Sequence, residues 1–204
     1  MKRLMIVTLA VICAAAVLPQ SLAAGFGIKG GYALSKFSVE GGGFLNLPSP
    51  VGGVFFSLKL GPLAIQPEAL YVRMGGKVGD SSNRLEWRFD YIQVPVLLKF
   101  SVIPLGPIRP VIYAGGYGSY LFKARGVTVV DGTAQTPVDM SEDYQKYDYG
   151  VVGGAGIEFK LPGIMISVEG RYNYGLMNIW KPLGPDDPTS WKNRSMMALL
   201  GIGF

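Results

Sequence analysis

Beyond residue 25 the chain alternates apolar and polar side chains in stretches separated by clusters of Gly, Pro, Asp and Asn. A period of two puts successive residues on opposite faces of a strand, so each stretch reads as a strand with one apolar face. The first sets Phe26, Ile28, Tyr32 and Leu34 against Gly27, Lys29, Gly31, Ala33 and Ser35. The second sets Val54, Phe56, Leu58 and Leu60 against Gly53, Ser57 and Lys59, with Phe55 out of pattern. The third opposes Leu63, Ile65, Ala69 and Tyr71 to Gln66 and Glu68, and the fourth opposes Ile92, Val94, Val96, Leu98 and Phe100 to Tyr91, Gln93, Pro95, Leu97 and Lys99. The fifth, from Pro110 to Lys123, is aromatic and glycine-rich on both faces, so its orientation is open. The sixth and seventh carry Glu158, and then Glu169, Arg171 and Asn173, on their polar faces, and the eighth aligns Met196, Ala198, Leu200, Ile202 and Phe204.

The connections alternate in length. Gly61-Pro62, Ile103 to Ile108 and Pro162-Gly163 are tight turns by composition. Ser38 to Pro50, Gly75 to Arg88, Arg125 to Lys146 and Asn178 to Asn193 read as long polar loops. Long loops at one end and short turns at the other predict an all-β, eight-stranded antiparallel up-and-down transmembrane β-barrel, because an even strand count closes the sheet and removes its edges.

Periodicity alone does not say which face meets lipid. The polar rows hold Lys29, Lys59, Glu68, Gln93, Lys99, Glu158, Glu169 and Arg171, with Gln66 and Asn173, a set that can pair across a narrow lumen. Aromatics near strand ends (Tyr32, Phe37, Tyr71, Tyr91, Phe100, Tyr172 and Tyr174) suit interfacial girdles. These place the apolar rows in lipid. The opposed reading is a soluble exported lipocalin-like barrel with a small apolar ligand inside.

Composition narrows the chemistry. Hydrophobic residues make up 49%, charged residues only 16%, and there is no histidine, which removes imidazole-based catalysis and metal binding. Lys2 and Arg3, the apolar run Leu4 to Leu18 and Ser21-Leu22-Ala23 predict a cleavable signal peptide over residues 1–23 and a barrel domain over 24–204. The single cysteine, Cys13, lies in that leader, so the mature chain has no thiol chemistry. No basic block points to nucleic acid, and no motif calls for a cofactor or a metal. Glu68, Glu158 and Glu169 read as ion-pair partners in the lumen rather than an acid and base pair, which needs carboxyls about 5 to 9 Å apart. Asp186-Asp187 reads as solvated turn charge, and Asn193-Arg194-Ser195 as a chance sequon.

Several fragments resemble the PorT-like family of small outer-membrane β-barrels. They are Gly27-Ile28-Lys29-Gly30-Gly31, Ile65-Gln66-Pro67-Glu68-Ala69-Leu70-Tyr71, Tyr91-Ile92-Gln93-Val94-Pro95-Val96-Leu97-Leu98-Lys99, Gly153-Gly154-Ala155-Gly156-Ile157-Glu158-Phe159 and Glu169-Gly170-Arg171-Tyr172. The resemblance implies an eight-stranded barrel in a Gram-negative outer membrane, with both termini periplasmic and no catalytic residues. The family's named member is associated with secretion and gliding machinery. The last strand, ending in Phe204, resembles the assembly signal read by the outer-membrane insertion machinery. The expected partners are therefore outer-membrane lipid and lipopolysaccharide, that insertion machinery, and a secretion-system or surface protein met by the loops.

Overall fold

The computed structural model describes residues 23–39, 44–101, 106–181 and 190–204. Among them ten strands form one sheet: β1 (Ala23–Ser38), β2 (Leu45–Leu60), β3 (Leu63–Gly79), β4 (Arg84–Ser101), β5 (Ile108–Val130), β6 (Thr133–Ala134), β7 (Val138–Asp139), β8 (Tyr147–Leu161), β9 (Ile164–Gly175) and β10 (Lys192–Gly203). Eight are long and pair antiparallel with both neighbours. β4 pairs with β5, β5 with β8, and β1 closes on β10 from Gly27↔Gly203 to Ser38↔Lys192. The result is the closed eight-stranded barrel that the alternation predicts. β6 and β7 flank only the far end of β5. Apart from Ala23, which opens β1, the expected signal peptide with Cys13 lies outside the described residues, as does Asp186-Asp187.

The apolar rows point outward. Phe26, Ile28, Tyr32 and Leu34 of β1 are exposed, as are Ile92 to Phe100 on β4 and Met196 to Phe204 on β10 in alternation, while Lys29, Gln66, Glu68, Gln93, Lys99, Glu158 and Glu169 are buried inside. That arrangement is the reverse of a lipocalin-like barrel. β5, open in the sequence, turns Val111, Tyr113, Tyr117, Ser119 and Leu121 inward and Ile112, Tyr120 and Phe122 outward. Two of the expected girdle residues are corrected: Phe37 and Tyr91 are buried in the barrel interior.

Two of the tight turns form as predicted, while the first half of the expected Ile103 to Ile108 turn lies outside the described residues. Gly61 takes φ 61° ahead of Pro62, and Gly163 takes φ 80° after Pro162, conformations that side-chain-bearing residues rarely adopt. The first two long loops need a second correction. β2 begins at Leu45, β3 runs to Gly79 and β4 starts at Arg84, so strand pairing continues far into segments that read as loop. The third connection also contains strand: Asp131 (φ 49°) and Gly132 (φ 76°) make a two-residue hairpin between Val130 and Thr133.

The reason for the longer strands is visible in β4. From Ile92 to Phe100 its outward residues are apolar, but the same outward row continues as Asp90, Arg88, Glu86 and Arg84, while the inward row changes to Phe89 and Trp87. The alternation survives with its polarity reversed. β3 reverses likewise, from outward Ile65 and Ala69 with inward Gln66 and Glu68 to outward Arg73 and Lys77 with inward Val72 and Met74.

Candidate functional site

The lumen is built in layers. At the end with the tight turns a cavity of about 420 Å³ opens, lined by Phe55, Ser57, Lys59, Arg109, Glu158, Lys160 and Met165. Lys59 sits here, its Nζ 3.5 Å from Met165 Sδ, and is not joined to the carboxylates of the expected network.

The next layer is ionic. Lys29 donates to Glu68 at 2.7 Å and to Glu169 at 3.0 Å. Arg171 reaches Glu68 with Nη1 at 2.7 Å and Glu169 with Nη2 at 2.9 Å. Lys99 reaches Glu158 at 2.9 Å, Glu169 at 3.1 Å and Gln66 Oε1 at 3.3 Å. These side chains come from β1, β3, β4, β8 and β9, so the layer crosses the whole lumen. Glu169 takes hydrogen bonds from three cations, and every charge in the layer has an opposite partner, the condition under which buried charge is tolerated. The rings of Phe55 and Tyr113 add cation–π contacts, with Lys29 Nζ 4.9 Å from the first centroid and Arg171 Cζ 5.5 Å from the second. Phe55, out of pattern in the sequence, thus has a lumen role. Its ring occupies the space left by Gly27, where a Cβ would lie 2.5 Å from it.

Above lies an amide layer: Asn173 donates to Gln93 at 3.0 Å, and Gln93 donates to Ser119 at 3.2 Å. Gln93 therefore belongs to the polar lumen but not to the ion network. Asn193 then donates to Asp148 at 2.9 Å and to Tyr91 at 3.4 Å. Its side chain is enclosed in the barrel, which rules out the sequon as a modification site.

The top of the lumen is aromatic. Phe37, Phe89 and Tyr144 are buried, and Phe44, Trp87, Trp180 and Trp191 pack on them. Ring centroids lie 4.5 Å apart for Phe89 and Tyr144, 5.2 Å for Phe37 and Trp191, and 5.4 Å for the stacked Trp180 and Trp191. The described ends of the last long connection are tied together at the cap by backbone bonds from Ile179 N to Trp191 O at 2.9 Å and from Gln145 N to Ile179 O at 2.8 Å. Sequence reasoning missed this cap. Its signal is the run Arg84-Leu85-Glu86-Trp87-Arg88-Phe89-Asp90, which alternates cleanly but with charge outside.

At the outer wall beside the cap, Asp90 accepts from Tyr71 at 2.8 Å, from Arg73 Nε at 2.7 Å and from Arg125. Glu86 accepts from Arg84 at 2.7 Å and from Arg88 Nη2 at 2.6 Å. At the tip of the β3–β4 turn, backbone N–H groups of Asn83 and Ser82 bond Asp80 and hold its carboxyl below the usual carboxylate range. At the opposite end Phe204 is exposed on the outer wall. Its backbone pairs with Phe26 (N to O 2.8 Å, and 3.2 Å in return), and the two rings lie 5.8 Å apart.

Among the described residues no group of three or more Cys, Asp or Glu side chains is arranged to hold a metal ion. The three lumen glutamates each accept from a lysine or arginine, so the geometry presents ion pairs rather than a free acid and base.

Comparison with known proteins places this architecture. Residues 19–181 match the family described as outer membrane protein beta-barrel domain, and the chain belongs to that family. The fold is similar to Neisserial surface protein A (13% identity, 90% of this chain and 98% of that one, TM-score 0.51) and to a major outer membrane protein from Thermus thermophilus (11% identity, 89% and 98%, TM-score 0.51). No curated protein sequence matches. The protein is therefore an outer-membrane β-barrel of a Gram-negative-type envelope, set among outer-membrane lipid and lipopolysaccharide.

Proposed function

We propose that this member of the outer membrane β-barrel family is a non-enzymatic, non-conducting barrel that acts through its loop end, the end that faces the cell exterior. Both termini lie with the tight turns on the periplasmic side in this reading. The observation that carries it is the doubly filled lumen: an ion layer near the turns and an aromatic cap under the loops, each spanning the barrel. Eight strands leave an interior just wide enough for side chains, and here those side chains are bonded to one another. The extended β3–β4–β5 sheet then forms a platform for a surface partner. The secretion-linked role implied by the PorT-like resemblance would use that platform.

Planar-bilayer recording of the purified barrel tests the closed lumen. Silent membranes, or only brief openings, are expected; stable single-channel currents of porin size would overturn it. Cross-linking in intact cells, followed by identification of proteins joined to the loop end, tests the platform.

A further inference from the structure

We propose that the outer wall of β3, β4 and β5, just beyond the lipid-facing rows, is a binding site for the phosphate groups of a phosphorylated glycolipid in the outer leaflet, the lipid A portion of lipopolysaccharide. Arg73 and Lys77 on β3, Arg84 and Arg88 on β4, and Lys123 and Arg125 on β5 share this wall. The ladder pairs Arg73 with Asp90, Lys77 with Glu86, Arg88 with Arg125 and Asp90 with Lys123, and residues directly opposite in a ladder lie on one face. Six cations thus meet Glu86 and Asp90, with Asp139 of β7 beside Arg125, a surplus of three positive charges.

Two features separate this wall from scattered surface charge. Each carboxylate is gripped by two guanidiniums, Glu86 by Arg84 and Arg88, and Asp90 by Arg73 and Arg125. The forks are therefore held in place, and all four guanidiniums stay partly exposed, with further N–H groups to spare. Fixed guanidinium forks suit phosphate, which accepts two parallel bonds from each.

The second feature is height. Phe100 marks the turn end of the outward apolar row of β4, and the row changes from apolar to charged between Ile92 and Asp90. Residues 90 to 100 of a strand tilted by about 40° span about 25 Å along the barrel axis, the height of the apolar band of an outer-membrane barrel. Arg73, Arg88 and Arg125 then lie at the headgroup level of the leaflet that the loop end meets, beside Tyr71 and the exposed Tyr120, with Arg84 farther out. A phosphorylated glycolipid supplies both apolar chains for the rows below and phosphates at this level.

The inference rests on the loop end facing the outer leaflet, but its test does not need that orientation. Native mass spectrometry of the full folded barrel in detergent compares three probes: bisphosphorylated lipid A, its dephosphorylated form and phosphatidylglycerol. Wild type should retain bisphosphorylated lipid A about tenfold better than either other lipid, and Arg73→Gln/Arg88→Gln/Arg125→Gln should lose that preference. Arg88→Gln alone, which leaves Glu86 its bond to Arg84, should lose part of it, and Arg109→Gln/Lys160→Gln at the opposite end should keep it. Equal retention of the three lipids by wild type, or an undiminished preference in folded Arg88→Gln and triple variants, overturns the site. Either result leaves the closed lumen standing, since current recordings decide that separately.

Discussion

The lower and upper halves of the lumen solve one packing problem with opposite chemistry. Near the turns the interior is filled by Lys29, Glu68, Lys99, Glu158, Glu169 and Arg171 in mutual ion pairs, and under the loops by Phe37, Trp87, Phe89, Tyr144 and Trp191. The cause is what lies outside the wall. At the level of the hydrocarbon, an apolar side chain gains little by choosing the lumen over lipid, because lipid tails are as apolar as leucine. Only polar groups, which cost several kcal/mol when left without partners, then distinguish inside from outside. Beyond the membrane the exterior is water, so burial of apolar surface again decides, as in a soluble core. The reversal of polarity along the single strand β4, between Ile92 and Asp90, marks the crossing from one regime to the other.

Breaking the ion layer should have the largest effect. Glu169→Ala removes the acceptor of three cations, Lys29, Lys99 and Arg171, and leaves buried positive charge under-compensated. Loss of one partner of a buried pair costs about 3 to 5 kcal/mol, and this position should reach the top of that range in urea unfolding of the lipid-reconstituted barrel. A cost below that of the aromatic variant would undo the contrast between the halves.

Truncation in the cap should cost less because no charge is orphaned. Phe89→Ala empties space beside Phe37, Tyr91 and Tyr144, at about 3 kcal/mol, the lower end for a buried phenylalanine. The same unfolding experiment reads it. Fluorescence should report the change locally, since Trp87, Trp180 and Trp191 all lie in the cap.

The rim should matter least to stability. Deleting Phe204 removes one exposed outer ring, worth about 1 to 3 kcal/mol at most for a large apolar group. If Phe204 is the expected assembly signal, membrane-assembled protein in cells should fall sharply while detergent refolding of the purified chain stays near normal. Equal membrane yields would reduce Phe204 to the Phe26 contact seen at the barrel seam.

Much of the site is legible in the polar rows. Lys29, Glu68, Lys99, Glu158, Glu169 and Arg171 stand on the polar faces of alternating strands, and the barrel brings all six into one layer. Lys59 and Gln93 occupy the same rows, but the stagger between tilted strands carries Lys59 to the mouth and Gln93 to the amide layer. Asp148 and Asn193 do not stand out in the same way, since each lies at the border of a segment that reads as loop.

The period-two alternation and the placing of tight turns by themselves determined the number of barrel strands, the antiparallel connectivity and which residues share a face. Those properties are local: a pleated strand turns every second side chain the same way, and Gly-Pro or Pro-Gly at a fixed place reverses the chain. Only the tertiary structure decided which lumen charges meet, because register and tilt across eight strands set the heights of residues as distant as Lys29 and Glu169. It alone also decided where strands end. Charge-rich segments such as 84–90 look like loop when polarity is read as exposure to water, but past the membrane edge an outward polar row and an inward aromatic row are what a strand needs.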